Sequence, residues 1–295
     1  MKIAFGIPFR ISKYVSALSL CLNSIKRYAE FEYEIFILLD SSREEDFNEQ
    51  QFDYLELNIS FLKKSSKRGY HKQTLINWIA SDRCDIDYLI ILHSDVFFYK
   101  SDIFPFLIEP LLKNNDAVAS YWEVPFCLHS STFHINEDVK KSMYVAPRVS
   151  SWCMCLNLIV YRNFIVSNPL EYGLFEAIHD EQFSFYDRSK CAYNDWIKLQ
   201  PEYQCLLEKP SSYFMDVSSF LKFQIDSGNI RGYSLGRDSN PSFRSCVIEY
   251  RPHGYVHLEQ FTPDRYNDIF YQKKLFDDRD AQIKKILFEN YKLKI

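Results

Sequence analysis

The chain has 295 residues, 47% of them apolar and 25% charged, the profile of a globular protein with a sizeable core. Its net charge of −4 argues against a strongly basic nucleic-acid binder. Only seven glycines occur, and neither G-x-G-x-x-G nor G-x-x-x-x-G-K-[ST] is present, so dinucleotide and P-loop readings lose their sequence support.

In chain order, residues 2–7 (KIAFGI) are a short apolar run closed by Pro8, the pattern of a buried strand. A helix is predicted from a cap at Ser12 to Tyr28, with Val15, Leu18, Leu22 and Ile25 on one face. Residues 33–39 (YEIFILL) form a second strand, ended by Asp40-Ser41-Ser42, and residues 55–62 a weaker third. Residues 72–81 read as a helix, and residues 88–92 (YLIIL) as a strand running into His93-Ser94-Asp95. Strand, helix, strand, strand, helix, strand with near-continuous apolar strands predicts a parallel α/β sheet buried on both faces. Beyond residue 100 the expectations are a helix at 105–112, a strand at 117–122 and an irregular polar stretch at 125–150. A core strand at 153–161 (CMCLNLIVY) and helix mixed with loop at 167–185 follow. Residues 226–245, with Gly228, Gly232 and Gly236, read as a long loop or lid, and residues 264–293 as one or two terminal helices.

The eight cysteines form no C-x-x-C pair and read as buried or half-buried thiols in a reducing compartment. The N-terminal residues lack an apolar signal-peptide core, and no run approaches the roughly 18 apolar residues of a membrane span. A cytoplasmic location is therefore expected.

Ligands of open parallel sheets bind beyond the carboxyl ends of the strands. That rule selects Pro8-Phe9-Arg10, Asp40-Ser41-Ser42 and His93-Ser94-Asp95. Asp95 with His93, just past a buried strand, is placed either to hold a divalent cation against a diphosphate or simply to shape a turn. The order of these segments resembles the GT-A glycosyltransferases, nearest to the bacterial family 2-like group. The resemblance covers about residues 1–262. It implies a GT-A-type, mostly parallel sheet sandwiched by helices, with acceptor-side loops and C-terminal helices. It also implies a nucleotide-binding half at 1–100, an acceptor half at 101–262 and a helical extension at 263–295.

The resemblance further implies that Pro8, Phe9, Arg10 and Asp40 flank the base and ribose of a nucleotide sugar. Ser94 and Arg68 are further nucleotide-binding candidates, with Arg68 read either as reaching the diphosphate or as part of a solvated helix face. His93-Ser94-Asp95 is similar to the family's D-x-D motif, with His93 departing from the usual Asp. Arg251-Pro252-His253-Gly254-Tyr255-Val256-His257 resembles a late segment that supplies a metal-binding histidine. Asp95, His257 and His93 are thus the implied ligands of manganese or magnesium. Ser151–Arg162 resembles the family's strand after the acceptor region. Gly173-Leu174-Phe175-Glu176 with His179-Asp180-Glu181 resembles the pair of motifs supplying the catalytic base, Asp180 or Glu181.

An inverting transferase needs one carboxylate to take a proton from the acceptor hydroxyl and positive charge beside the leaving nucleotide. The expected activity is transfer of a sugar from a nucleoside diphosphate to a saccharide or lipid-linked acceptor, metal-assisted and inverting. A sugar nucleotidyltransferase and a degenerate carbohydrate-binding protein are the alternatives. Trp122, Trp152 and Trp196 are candidates for an acceptor groove. The lysine-bearing end at 282–295 is read either as a packed helix or as a peripheral contact with the inner face of the membrane.

Overall fold

The computed structural model describes residues 1–10, 15–40, 47–63, 71–123, 126–127, 143–167, 195–205, 212–214, 217–238, 248–250, 253–258, 281 and 284–292. The strands are β1 (Ile3–Arg10), β2 (Tyr33–Asp40), β3 (Ile59–Lys63), β4 (Tyr88–Leu92), β5 (Val96–Phe98), β6 (Val118–Glu123) and β7 (Phe126–Cys127). They continue with β8 (Met143–Val145), β9 (Arg148–Asn157), β10 (Ser212–Phe214), β11 (Gly232–Asp238), β12 (Ile248–Tyr250) and β13 (Tyr255–His257). The helices used below are α1 (Val15–Tyr28), α2 (His71–Asp82), α3 (Ile103–Asn114), α4 (Leu158–Ser167) and α5 (Val217–Asp226).

The central sheet has seven strands in the order β11-β6-β9-β4-β1-β2-β3. Neighbouring pairs are parallel except at β9, which runs antiparallel to both β4 and β6. The expected mostly parallel sheet between helices is therefore present, with one inverted strand. On one face Ala4, Phe36, Leu89 and Ile91 pack with Leu75 and Ile76 of α2, Tyr161 of α4 and Phe220 of α5. On the other, Phe5, Ile37, Ile90 and Leu92 pack with Leu18 and Leu22 of α1 and Leu107 of α3. All five residues of β4 are buried. Each such Leu or Ile contributes roughly 1.5–3 kcal/mol of burial, which is why an unbroken apolar run can occupy the middle of the sheet.

Several elements differ from the sequence expectation. The weaker third strand covers Ile59–Lys63, with a 3-10 helix at Glu49–Leu55 before it, and the stretch expected to be irregular at 125–150 holds β7, β8 and the start of β9. The run at 153–161 is not one strand, because β9 ends at Asn157 and α4 begins at Leu158. The Asn157 side-chain oxygen accepts from the backbone N–H groups of Ile159 and Val160 at 3.2 and 3.4 Å, and this capping starts a helix inside a continuous apolar run. Arg162 on that helix donates to the carbonyls of Ala80, Arg83 and Ile86 at 2.8, 2.8 and 2.9 Å, satisfying carbonyls at and just beyond the end of α2.

The stretch read as a loop or lid at 226–245 instead holds the end of α5 and the edge strand β11 over residues 226–238. Gly232 is needed there for close approach: a Cβ on it would lie 2.5 Å from Ile225 Cδ1 and 3.3 Å from Val118 Cγ1. The part at 239–245 lies outside the described residues, as does the expected helix and loop at 168–185. Near the C-terminus residues 284–291 are helical. Leu287 packs with Ala17, Phe97, Val256 and Leu258, and Tyr291 joins the rim of that cluster.

Candidate active site

Six of the seven central strands end on one edge, where β1 and β2 finish in register at Arg10 and Asp40. Pro8 is half-buried, whereas Phe9 is 3% exposed and packs against Phe47 with ring centroids 5.7 Å apart. Beside them β4 ends at Leu92 and leads into His93-Ser94-Asp95. This turn is tied to β9 by the His93 N–H donating to the Trp152 carbonyl at 2.9 Å, and is closed by Val96 N–H to the His93 carbonyl at 3.1 Å.

After that turn the chain forms β5, which pairs antiparallel with β13 so that Val96 faces His257. The Leu258 N–H donates to the Asp95 carbonyl at 2.9 Å, and Tyr99 N–H to the Gly254 carbonyl at 2.8 Å. A small sheet in the order β12-β13-β5 thus brings a distant histidine beside the aspartate. Asp95 is 7% exposed and His257 1%. His257 Nε2 stands 3.4 Å and His93 Nδ1 3.8 Å from Asp95 Oδ1. One ligand atom from each of the three lies within 4.8 Å of the others. Ligand atoms bound about 2.1 Å from one small divalent ion stand roughly 3.0–3.4 Å apart at right-angled to tetrahedral geometry, so a modest contraction would close the group on a cation.

The polar accounting points the same way. Asp95 Oδ1 and His257 Nδ1 are buried, and neither finds a hydrogen-bond partner among the described residues. A buried carboxylate oxygen without a donor is costly, and a cation removes that cost. Among the described residues no thiol joins this group of ligand atoms, and burial raises the pKa of Cys21 and Cys153 above the usual thiol range. Cys21 instead donates to the His93 carbonyl at 3.9 Å. His253 stands apart from the cluster. Its Nδ1 meets the Tyr121 hydroxyl, its ring packs edge-on against Phe106 at 4.6 Å, and burial lowers its pKa. It anchors the β13 segment to β6 and α3.

Trp152 holds the imidazoles in place. Its ring stacks on His257 at 4.6 Å and 19°, and meets His93 edge-on at 5.0 Å and 83°. The Arg148 guanidinium lies 5.3 Å from the centre of the Trp152 ring, and its Nε is 2.5 Å from Glu123 Oε2. The sequence offered Trp152 only as a candidate for an acceptor groove, since nothing in the spacing of residues 152 and 257 shows that they stack. Trp122 carries the Lys222 ammonium 4.5 Å from its ring centre. Trp196, 7% exposed, donates from its ring nitrogen to Asp226 at 2.9 Å and belongs to the core.

The structure therefore brings His93, Asp95 and His257 together, with Ser94 in the same turn. Arg10 and Asp40 share the same edge through the backbone. Arg68, Asp180 and Glu181 lie outside the described residues.

Gly254 makes the β13 segment possible. Its φ is +71°, and a Cβ there would lie 2.5 Å from Lys100 Cβ. Gly254→Ala is expected to lose about 2–4 kcal/mol of stability from left-handed strain and overpacking, and to weaken cation binding by shifting His257. Denaturant midpoints and cation titration check this; an unchanged midpoint would refute it.

No protein-family profile matches the sequence, and no characterised protein resembles it in sequence at a significant level. Among solved structures, the fold is similar to the mannosyltransferase PcManGT from Pyrobaculum calidifontis in complex with GDP-Man and Mn2+. The identity is 9% over 56% of this chain and 46% of that one, with a TM-score of 0.39. It is also similar to S. aureus TarS 1-349, with 12% identity over 58% of this chain and 50% of that one and a TM-score of 0.36. The same TarS fragment in complex with UDP gives 10% identity over 60% and 55%, with a TM-score of 0.37. The chain spans about half the length of these structures. Among the described residues no helix is long and apolar enough to cross a membrane.

Proposed function

We propose that this chain is a GT-A-type glycosyltransferase. It would move a sugar from a nucleoside-diphosphate donor to a hydroxyl of a saccharide or lipid-linked acceptor, with inversion, in the cytoplasm or at the inner face of the membrane. The observation that carries this reading is the buried His93–Asp95–His257 cluster at the carboxyl edge of a mostly parallel sheet, the edge where open α/β sheets bind ligands.

His93, Asp95 and His257 hold a divalent cation in this reading. When bound, it supplies positive charge where the nucleoside diphosphate departs. Arg10, Asp40, Pro8 and Phe9 line the nucleotide side of the edge, with Phe9 acting from within the core as a support for the Pro8 turn. Ser94 and Arg68 serve the diphosphate. Asp180 takes the acceptor proton, and Glu181 positions the acceptor hydroxyl.

A panel of uridine, guanosine and cytidine diphosphate sugars, each with MnCl2, tests the assignment. One donor is expected to release nucleoside diphosphate, with the release abolished by chelator. Its free nucleotide should raise the melting temperature, since a ligand at 100 times its Kd adds about 2.7 kcal/mol of stability. If none of these donors is hydrolysed and none of their nucleotides shifts the melting temperature, the transferase reading is wrong.

A further inference from the structure

We propose that the helix at 284–291 is part of the candidate site, with Leu287 as the positioning residue that holds His257 against Asp95 by covering the outer face of β13. The proposal rests on the reading that His93, Asp95 and His257 hold a cation, and extends it to an element well beyond His257 in the sequence.

β13 is only three residues long and lies between β12 and β5. Successive side chains of a strand point to opposite faces, and here the two faces have different surroundings. Tyr255 joins the core cluster of Leu18 and Leu107, and His257 faces Asp95 and Trp152. Val256 and the adjoining Leu258 point outward and pack with Ala17, Phe97 and Leu287. So short a ladder holds its register weakly through hydrogen bonds alone, and a slip of one residue would turn His257 away from Asp95. The burial of Val256 and Leu258, both 0% exposed, is what fixes it.

Leu287 closes that outer cluster. It is 0% exposed, while Lys284, Lys285, Phe288 and Glu289 of the same helix are exposed. One turn on, Tyr291 packs edge-on against Phe97 at 5.5 Å and tilted against Tyr99 at 5.4 Å. The helix thus lies across both strands that carry the site, β5 directly after Asp95 and β13 through His257. Between them the Leu258 N–H donates to the Asp95 carbonyl at 2.9 Å, so a displacement of Leu258 is passed to both residues. Groups that orient metal ligands without touching the metal are worth roughly 10–100-fold in affinity.

The test titrates the full chain, freed of metal, with MnCl2 by calorimetry, and follows amide hydrogen exchange without metal. Leu287→Ala is compared with Leu75→Ala, which removes the same atoms from a 0% exposed position on the other face of the central sheet. Both variants are expected to melt below the wild type. Only Leu287→Ala should raise the Kd for Mn2+, by roughly tenfold or more, and lose exchange protection at residues 255–258 before β4 does. Leu287→Met, which keeps the volume, should restore the Kd to within about threefold of the wild type. Binding that survives Asp95→Asn is subtracted as lying elsewhere.

A wild type that binds Mn2+ beside a Leu287→Ala variant with an unchanged Kd overturns the proposal alone. Equal weakening in Leu287→Ala and Leu75→Ala overturns it as well, since the effect is then one of general stability. If Leu287→Ala does not fold, Leu287→Val decides by the same comparison with Leu75→Val. A wild type that binds no Mn2+ removes the cation reading and the proposal with it. Mn2+ binding that depends on Leu287, in a chain that hydrolyses no nucleotide sugar, leaves the proposal standing and removes the transferase assignment.

Discussion

Asp95→Ala is expected to lower turnover of a nucleotide-sugar donor by on the order of 10²-fold or more, the cost of removing one electrostatic stabiliser, without destabilising the metal-free protein. The two halves of this expectation come from different groups of the same residue. Asp95's backbone carbonyl accepts from Leu258 N–H, and this bond survives truncation of the side chain. Its side-chain Oδ1 is buried without a hydrogen-bond donor among the described residues, so removing it relieves a desolvation cost. The melting temperature of the variant without cation should equal or exceed that of the wild type, while the increment given by MnCl2 should disappear. A structural aspartate would behave in the opposite way, with a lower melting temperature and little loss of rate beyond the unfolded fraction. Full turnover in Asp95→Ala, resistant to chelator, would reject the metal role.

The first hundred residues were legible because their core strands are unbroken apolar runs that end in turn chemistry. β1, β2 and β4 each sit between buried faces, and unbroken apolar runs between amphipathic helices are the pattern of a mostly parallel sheet buried on both sides. Legibility failed where one apolar run serves two elements. From Cys153 to Tyr161 hydrophobicity does not change, and only the side chain of Asn157 marks where strand gives way to helix. It failed again at β11, an edge strand whose glycines and polar residues resemble a loop, although Gly232 is required there by the packing of Ile225.

The site divides along the same line. His93, Ser94 and Asp95 are local to the end of β4 and could be found from position. His257 could be suspected only from its motif, because the β5–β13 pairing that delivers it joins segments far apart in sequence. Trp152 as a brace for both imidazoles had no local signal at all, since its contacts depend on the inverted direction of β9. An alternation of small and large residues at 150–156 marks a packed strand, but not what its half-buried face touches.

Asp180→Asn is expected to leave donor binding intact and to lower turnover by roughly 10²–10⁴-fold, the range for a lost general base. The amide keeps the size of the carboxylate and its capacity to accept a hydrogen bond, but cannot take the acceptor proton, so the expected loss is in kcat with little change in the Kd of the free nucleoside diphosphate. The choice of Asp180 follows from the sequence around it. Gly173 interrupts the chain after Pro169, and His179-Asp180-Glu181 then precedes Phe183 and Phe185, the pattern of an acidic helix start followed by inward-facing aromatics. Backbone N–H groups at such a start hold a carboxylate in its ionised form. On a helix starting at this motif, Glu181, one position on, would point about 100° away, which in the proposed reading suits it to holding the acceptor hydroxyl rather than deprotonating it. Glu181→Gln should therefore raise KM for the acceptor more than it lowers kcat. Normal turnover in Asp180→Asn beside a dead Glu181→Gln would shift the assignment by one residue. Full turnover in both would place the base elsewhere or make the enzyme a retaining one, and the anomeric configuration of the product, read by NMR, decides between those two outcomes.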